Sequence, residues 1–250
     1  MKKPYLSVII PAYNEHGNLK RGVLSSVWDY LKEQKYTWEV LIVDDGSDDD
    51  TATQAQLFSK KHKGFRVLKE PHRGKGGTVI AGVLASKGET ILFTDMDQAT
   101  PLDQVEKILP KLKMGYDVII GSRSGREGAP IIRKTMAFGF SLLRTIILRL
   151  PYRDTQCGFK IFKKKAAREI FNKLNIFTQK SEAIGPSVSA GFDLEVLYIA
   201  RKLGLKVAEV PVEWHHQEGT RVNPIKDSWE GLRDLMRVRV NALLGRYKIG

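Results

Sequence analysis

Asp95 and Asp97 stand one residue apart where the apolar run Ile91-Leu-Phe-Thr94 ends. At the end of a strand two such carboxylates can converge on one hard cation, which takes oxygen ligands and leaves positions for phosphate oxygens. Pro101 opens the next segment, and Leu102, Val105, Ile108 and Leu109 recur at helical spacing. The acidic pair therefore lies on a strand-to-helix loop, where open α/β sheets bind their ligands. By itself an Asp-x-Asp serves equally well as a helix cap, and its weight comes from other loops of the same kind. Pro11-Ala-Tyr-Asn-Glu15, Asp44-Asp-Gly-Ser47 and Arg73-Gly-Lys-Gly-Gly77 each follow an apolar run, and so does Gly121-Ser-Arg123. Carboxylates beside lysine and arginine suit a diphosphate carrying Mg²⁺ or Mn²⁺, with the acids on the metal and the cations on the remaining phosphate charge. Gly74-Lys-Gly-Gly77 has neither the spacing of a P-loop nor the third glycine of a dinucleotide fingerprint.

The elements that must position these loops can be read in order. Residues 5–10, 38–43, 65–68, 91–94 and 118–120 are short apolar runs, expected as buried parallel strands. Residues 18–31, 51–61 and 78–86 carry helical periodicity, with 73–77 as a flexible basic turn. This alternation predicts an α/β fold with a Rossmann-like, mostly parallel sheet, flanking helices and right-handed crossovers. Such a sheet gathers the polar loops along one carboxyl edge. The polar stretch 122–128 marks a change in character.

The net charge of +13 points to a polyanionic partner: nucleic acid, an anionic membrane surface or a phosphorylated substrate. No nucleic-acid-binding motif accompanies it, and Lys163-Lys-Lys165 opens a helix whose Ala166, Ile170 and Leu174 read as core, so nucleic acid is not expected. The single cysteine, Cys157, excludes an internal disulfide framework and fits a reducing compartment. The histidines lack zinc-ligand spacing. Met1-Lys-Lys is followed by an apolar run of only about six residues, read as a strand rather than a leader. No uncharged apolar run approaches the roughly 18 residues of a membrane span.

Taken together, Val8-Ile-Ile-Pro-Ala-Tyr-Asn-Glu15, Val43-Asp-Asp-Gly-Ser47, Gly74-Lys-Gly76, Asp95-x-Asp97 and Gly121-Ser-Arg123 resemble the GT-A (nucleotide-diphospho-sugar transferase) glycosyltransferases of family 2. Asp154-Thr-Gln-Cys-Gly-Phe-Lys160 and Gly191-Phe-Asp-Leu-Glu-Val-Leu-Tyr198 narrow the likeness to the dolichyl-phosphate sugar synthases, most closely their glucose branch. The resemblance implies that Pro11, Tyr13, Glu15, Asp44 and Asp45 hold the nucleoside and that Lys75 approaches the nucleotide. It implies Mg²⁺ or Mn²⁺ on Asp95 and Asp97, with Met96 in the same donor-binding loop, and Arg123 facing the phosphates on the acceptor side. Mannose-transferring relatives place a glutamine two residues after the second aspartate, where this chain has Ala99 and carries Gln98 instead. They also carry an arginine six residues before a lysine, matched here by His215 and Arg221. These departures favour UDP-glucose over GDP-mannose as donor. The base stays open, because Asp44 can accept from uracil or guanine.

The implied reaction is an inverting, metal-dependent transfer of a sugar to a dolichyl or polyprenyl phosphate. A phosphate monoester, with its second pKa near 6, is already largely ionised at neutral pH and needs no general base. Arg123, Arg133 and Arg221 are the candidates for the acceptor phosphate, and Asp193 and Glu195 are positional. Residues 131–150 form an amphipathic helix, with Met136, Phe140, Leu142, Leu143, Ile146, Ile147 and Leu150 on one arc and Arg133, Lys134, Ser141, Arg144 and Arg149 on the other. Residues 226–244 repeat the pattern, with Trp229, Leu232, Leu235, Met236, Val240 and Leu243 facing away from Glu230, Arg233, Asp234, Arg237 and Asn241. Either helix can pack on the sheet or on a second subunit. Ten Lys/Arg against two acids between residues 131 and 170 favour an anionic lipid surface instead. The expectation is a catalytic domain over 1–225 that includes the interfacial helix 131–150, followed by a C-terminal amphipathic helix over 226–250. It would sit peripherally on the cytoplasmic face of a membrane, with oligomers possible. A soluble acceptor and a non-catalytic binding role are the alternatives.

Overall fold

The computed structural model describes residues 3–123, 131–176, 190–215 and 224–249. Among these, seven strands, β1 (Leu6–Ala12), β2 (Trp38–Asp44), β3 (Phe65–Lys69), β4 (Thr90–Phe93), β5 (Val118–Arg123), β6 (Lys160–Lys163) and β7 (Val207–Val212), form one sheet ordered β3-β2-β1-β4-β6-β5-β7. All pairings are parallel except those of β6 with β4 and β5. The five strands expected from the sequence are present. The short β6 and β7 were not anticipated, and β6 interrupts the parallel order.

The helices are α1 (His16–Lys20), α2 (Val23–Lys32), α3 (Thr51–Lys61), α4 (Gly74–Ala85), α5 (Val105–Lys113), α6 (Ile131–Leu148), α7 (Lys164–Phe171), α8 (Ala190–Lys202) and α9 (Pro224–Leu243). The single helix expected over 18–31 is two, because Gly22 adopts φ 80° between them. A left-handed residue breaks the hydrogen-bond ladder, and glycine enters that region without a Cβ penalty. The expected basic turn at 73–77 is the first turn of α4, which begins at Gly74.

Apolar side chains cover both faces of the sheet, as a mostly parallel sheet requires. Ile9 faces a cluster shared with α4, α7 and α8, whereas Val8 and Ile10 face one shared with α2 and α5. In parallel register Ala12 lies beside Asp44 and Asp44 beside Lys69. The loops after β1, β2, β3 and β4 therefore open on one edge. Because β6 runs the other way, its first residue lies at that edge: Lys160 pairs with Phe93 and Ile120. The loop 154–159 thereby enters between β4 and β5.

Candidate active site

The loops after β1 and β2 are knitted together by their own polar side chains. Asn14 sits at φ 53°. Its N–H donates to Ser47 Oγ at 3.0 Å, and the Asp48 N–H donates to Asn14 Oδ1 at 2.9 Å. The Glu15 N–H donates to Thr51 Oγ1 at 2.7 Å. Asp44 and Asp45 then diverge. Asp45 is buried, and its carboxylate accepts from the Arg73 and Gly74 N–H groups at 2.8 Å each, with His72 Nδ1 at 2.9 Å. It fixes the start of α4 from a different element, so the aspartate expected at the nucleoside is engaged within the protein. Asp44 is equally buried, but its Oδ1 has no hydrogen-bond partner among the described residues. A buried, unpaired carboxylate oxygen is costly and calls for a donor. Tyr13 stacks on His72 with ring centroids 4.2 Å apart and planes 14° from parallel.

At the end of β4 lie the acidic pair and the first of the cations. Lys75 Nζ pairs with Asp95 Oδ1, and Asp97 Oδ1 accepts from the Ala99 N–H at 2.9 Å. Burial and the charge of Asp95 raise the Asp97 pKa, although the Ala99 hydrogen bond works against them. Burial raises Glu15 too, opposed by a hydrogen bond from Asn18 and assisted by the charges of Asp97 and Asp95. Burial disfavours the Lys75 ammonium, but Asp95, Asp193 and Asp97 outweigh it and raise its pKa. The site thus holds clustered carboxylates of hard-oxygen type whose mutual repulsion a divalent cation would relieve, which fits Mg²⁺ or Mn²⁺. Among the described residues no third metal-ligating side chain joins Asp95 and Asp97. Gln98 turns back instead, its amide donating to the Asp95 carbonyl at 2.8 Å.

Two more cations line the edge, each already paired. Arg123 donates Nε to Asp154 Oδ2 at 2.6 Å and Nη2 to Oδ1 at 2.8 Å, in a bidentate pair beside Trp214. Burial opposes the charge on both partners, yet the pair raises the Arg123 pKa and lowers that of Asp154. Lys160 is 0 % exposed and donates to Asp193 Oδ1 at 2.7 Å and to the Cys157 carbonyl. Asp193 is therefore held in an ion pair, in keeping with a positional role. Cys157 is buried, and burial pushes its thiol pKa up.

The structure brings Tyr13, Glu15, Asp44, Lys75, Asp95, Asp97, Arg123 and Asp193 to one edge, with Pro11, next to last in β1, beside Val43. Met96 lies in the loop as expected, but its side chain is buried in the cluster that holds Leu92, Leu102 and Val105, so only its backbone lies between the carboxylates. Arg221 and the Arg133 side chain lie outside the described residues. Asp154, Gly158 and Lys160 stand in the sequence only as parts of a motif, with no individual role legible there. A Cβ at Gly158 would meet Asp95 Oδ2 at 2.0 Å, so this glycine is the space in which the Asp95 carboxylate sits. The Asp-Thr-Gln-Cys-Gly-Phe-Lys string was the available signal. What it lacked was the antiparallel β6 that carries it to the edge.

The two long helices revise the expected faces. In α6, Leu142, Leu143 and Ile146 are exposed, Ile146 by 65 %, whereas Leu150 just beyond the helix is buried. Arg144, expected on the outward polar arc, is 4 % exposed and donates to Ser141 Oγ at 2.8 Å, Thr155 Oγ1 at 3.2 Å and the Tyr152 carbonyl. In α9, Trp229, Met236, Val240 and Leu243 are exposed, while Leu235 joins the core. Asp234 and Asn241, expected on the polar face, are buried, and Asp234 Oδ2 accepts from the Gly191 N–H at 3.3 Å. No described helix is long and apolar enough to cross a membrane.

Carboxylates and cations gathered on one edge of a mostly parallel sheet are the setting in which the chain's relatives can be compared. The family model for glycosyl transferase family 2 matches residues 7–171. A dolichyl-phosphate beta-glucosyltransferase from Dictyostelium discoideum is 35 % identical, covering 98 % of this chain and 77 % of its own. The Homo sapiens protein of the same name is 32 % identical over 98 % of this chain and 78 % of its own. Among solved structures, glucosyl-3-phosphoglycerate synthase from Mycobacterium tuberculosis with Mn²⁺, UDP and glucosyl-3-phosphoglycerate superposes with a TM-score of 0.63 at 19 % identity, covering 99 % of this chain and 81 % of that one. Mannosyl-3-phosphoglycerate synthase from Rubrobacter xylanophilus gives 0.63 at 15 % identity, covering 97 % and 75 %. The chain belongs to glycosyltransferase family 2 and has the GT-A fold. It is a glycosyltransferase.

Proposed function

We propose that the protein transfers glucose from UDP-glucose to a dolichyl or polyprenyl phosphate with inversion, giving a β-linked lipid-phosphate sugar. The observation that carries this reading is the likeness, over 98 % of the chain, to dolichyl-phosphate beta-glucosyltransferases. The geometry supports it. Asp44 Oδ1 is the buried acceptor available to an imide N–H of the base, beside the Tyr13–His72 stack. Asp95 and Asp97 would hold Mg²⁺ or Mn²⁺, which, when bound, offsets charge on the leaving diphosphate. Lys75 faces the same charge, and Arg123, with Arg133 and Arg221, receives the acceptor phosphate. Asp154 and Asp193 are each tied to a cation, so neither is offered here as a base, and an ionised phosphate needs none.

Residues 1–225 are read as the catalytic unit including 131–150, with 226–250 as an appended interface helix. The protein then works peripherally on the cytoplasmic face of a membrane, as a monomer or oligomer. Support comes from the exposed Leu142, Leu143 and Ile146 on α6 and Trp229, Met236, Val240 and Leu243 on α9, with half-exposed Arg233 and Arg237 on the same helix.

The test is to incubate the purified protein with Mn²⁺, a short polyprenyl phosphate, and either UDP-glucose or GDP-mannose, and to measure lipid-linked sugar. Product from UDP-glucose, lost on Asp97→Asn, is expected. Product from GDP-mannose alone would replace the donor. Free sugar without lipid product would remove the lipid acceptor.

A further inference from the structure

The Asp95 carboxylate is paired on one oxygen and closely packed on the other. Oδ1 carries the Lys75 ammonium, and Oδ2 lies against Gly158, where a Cβ would come within 2.0 Å. Lys75 is not a loosely tethered surface group. It is the second residue of α4, and Asp45 pins that end of the helix through the Arg73 and Gly74 N–H groups. Its side chain is only 20 % exposed, against 38 % for Asp95. The ammonium therefore lies where the acidic pair would receive a metal. A divalent ion arriving alone meets a resident cation on its own ligand, and like charges on one oxygen repel strongly in a partly buried site. A nucleoside diphosphate changes that balance, because its phosphate oxygens offer the ammonium a second anionic partner.

We propose that Lys75 is an exchangeable counter-ion: it neutralises Asp95 in the protein alone and moves to the diphosphate when the metal takes Asp95, so that metal and nucleotide bind as mutually dependent partners. This inference rests on the metal reading given above. No covalent bond changes; one ion pair is exchanged for two. By linkage, the factor by which UDP tightens Mn²⁺ equals the factor by which Mn²⁺ tightens UDP. The charge exchange contributes to that factor from the protein's side, in addition to direct coordination of the metal by the nucleotide.

The experiment measures Mn²⁺ binding by electron paramagnetic resonance, with and without UDP, and UDP binding by calorimetry. It compares the wild-type protein with Lys75→Gln and Lys75→Arg. Lys75→Gln is expected to bind Mn²⁺ alone roughly fivefold more tightly, as the loss of one partly exposed competing cation predicts. The same variant is expected to bind UDP in the presence of Mn²⁺ about tenfold more weakly, for want of a charge-assisted phosphate contact. Lys75→Arg keeps the charge and should leave the affinity for Mn²⁺ alone near that of the wild type. Affinity for Mn²⁺ alone that is unchanged or lower in Lys75→Gln overturns the exchange. If that variant does not fold, the wild-type protein still decides, since equal Mn²⁺ affinity with and without UDP also overturns it. Failure of the wild type to bind Mn²⁺ even with UDP is a different result: it removes the metal reading itself.

Discussion

Along the edge formed by the loops after β1, β2 and β4, polar side chains hold one another over an apolar sheet: Asp45 bonds the start of α4, Asn14 bonds the loop after β2, and Lys75 bonds Asp95. Along α6 and α9 several positions are reversed. Arg144, Asp234 and Asn241 are inside, while Ile146, Trp229 and Leu243 are outside. The first region keeps its apolar side chains in the sheet and gathers its charges, the buried Asp44 and Asp45 among them, at the loops along one edge. The second buries polar groups as anchors and leaves an apolar surface, which in a monomeric soluble protein marks a contact with something else. The difference teaches that amphipathicity read from a helical wheel gives two faces but not which of them turns inward.

Substitutions can break either side of this contrast, and the site should respond most. Gly158→Ala puts a methyl group into the Asp95 carboxylate, and the displaced ligand should cost at least about a hundredfold in kcat/KM. Steady-state kinetics beside a thermal melt would check it; retained turnover would mean that the Asp95 position is not required. Arg144→Met strands the Tyr152 carbonyl and the Thr155 hydroxyl, and should lower stability by about 2 kcal/mol in urea unfolding. An unchanged midpoint would show that the inward arginine anchors nothing. Trp229→Ser with Leu243→Ser should weaken partitioning onto anionic vesicles by on the order of tenfold, with UDP binding intact. Equal partitioning in a vesicle sedimentation assay would reassign that face to a protein contact.

The smallest expected effect concerns pH. Burial and Asp95 raise the folded pKa of Asp97 above its unfolded value. Its contribution to stability is therefore fully present below the unfolded pKa and is lost as pH rises through the folded one. Bound Mn²⁺ favours the ionised form, so the rise in Tm that it confers should fade on acidification while the pH is still above the ordinary aspartate range near 4. Thermal melts with and without Mn²⁺ read this directly, and Asp97→Asn should flatten the dependence.

Much of the donor edge was legible because its signals are local. A strand of apolar residues that stops at Asp44 or Asp95 places its own carboxylate, and parallel register places the next strand's. The identity of the Asp44 task was legible in that sense, but the division of labour with Asp45 was not, since it depends on N–H groups of residues 73 and 74. Lys160 escaped for a similar reason: a lysine in a four-residue strand shows its partner, Asp193, only when α8 is folded against it. Arg144 was misread because wheel periodicity cannot see the Tyr152 carbonyl.

The reversed strand β6 has a consequence for how the chain is assembled. β4 and β5 meet only through β6, which comes about 40 residues after β5 in the chain. Until residues 160–163 arrive, each of those strands presents an open edge, and the late, non-local pairing that closes them makes for slow formation and exposure to wrong partners. A nascent chain stopped at residue 123 would hold five strands as two unsealed pieces. The segment that joins β4 to β5 also delivers Gly158 and Lys160, so these two residues reach the edge in the same event that links the two pieces, ahead of Asp193 on α8.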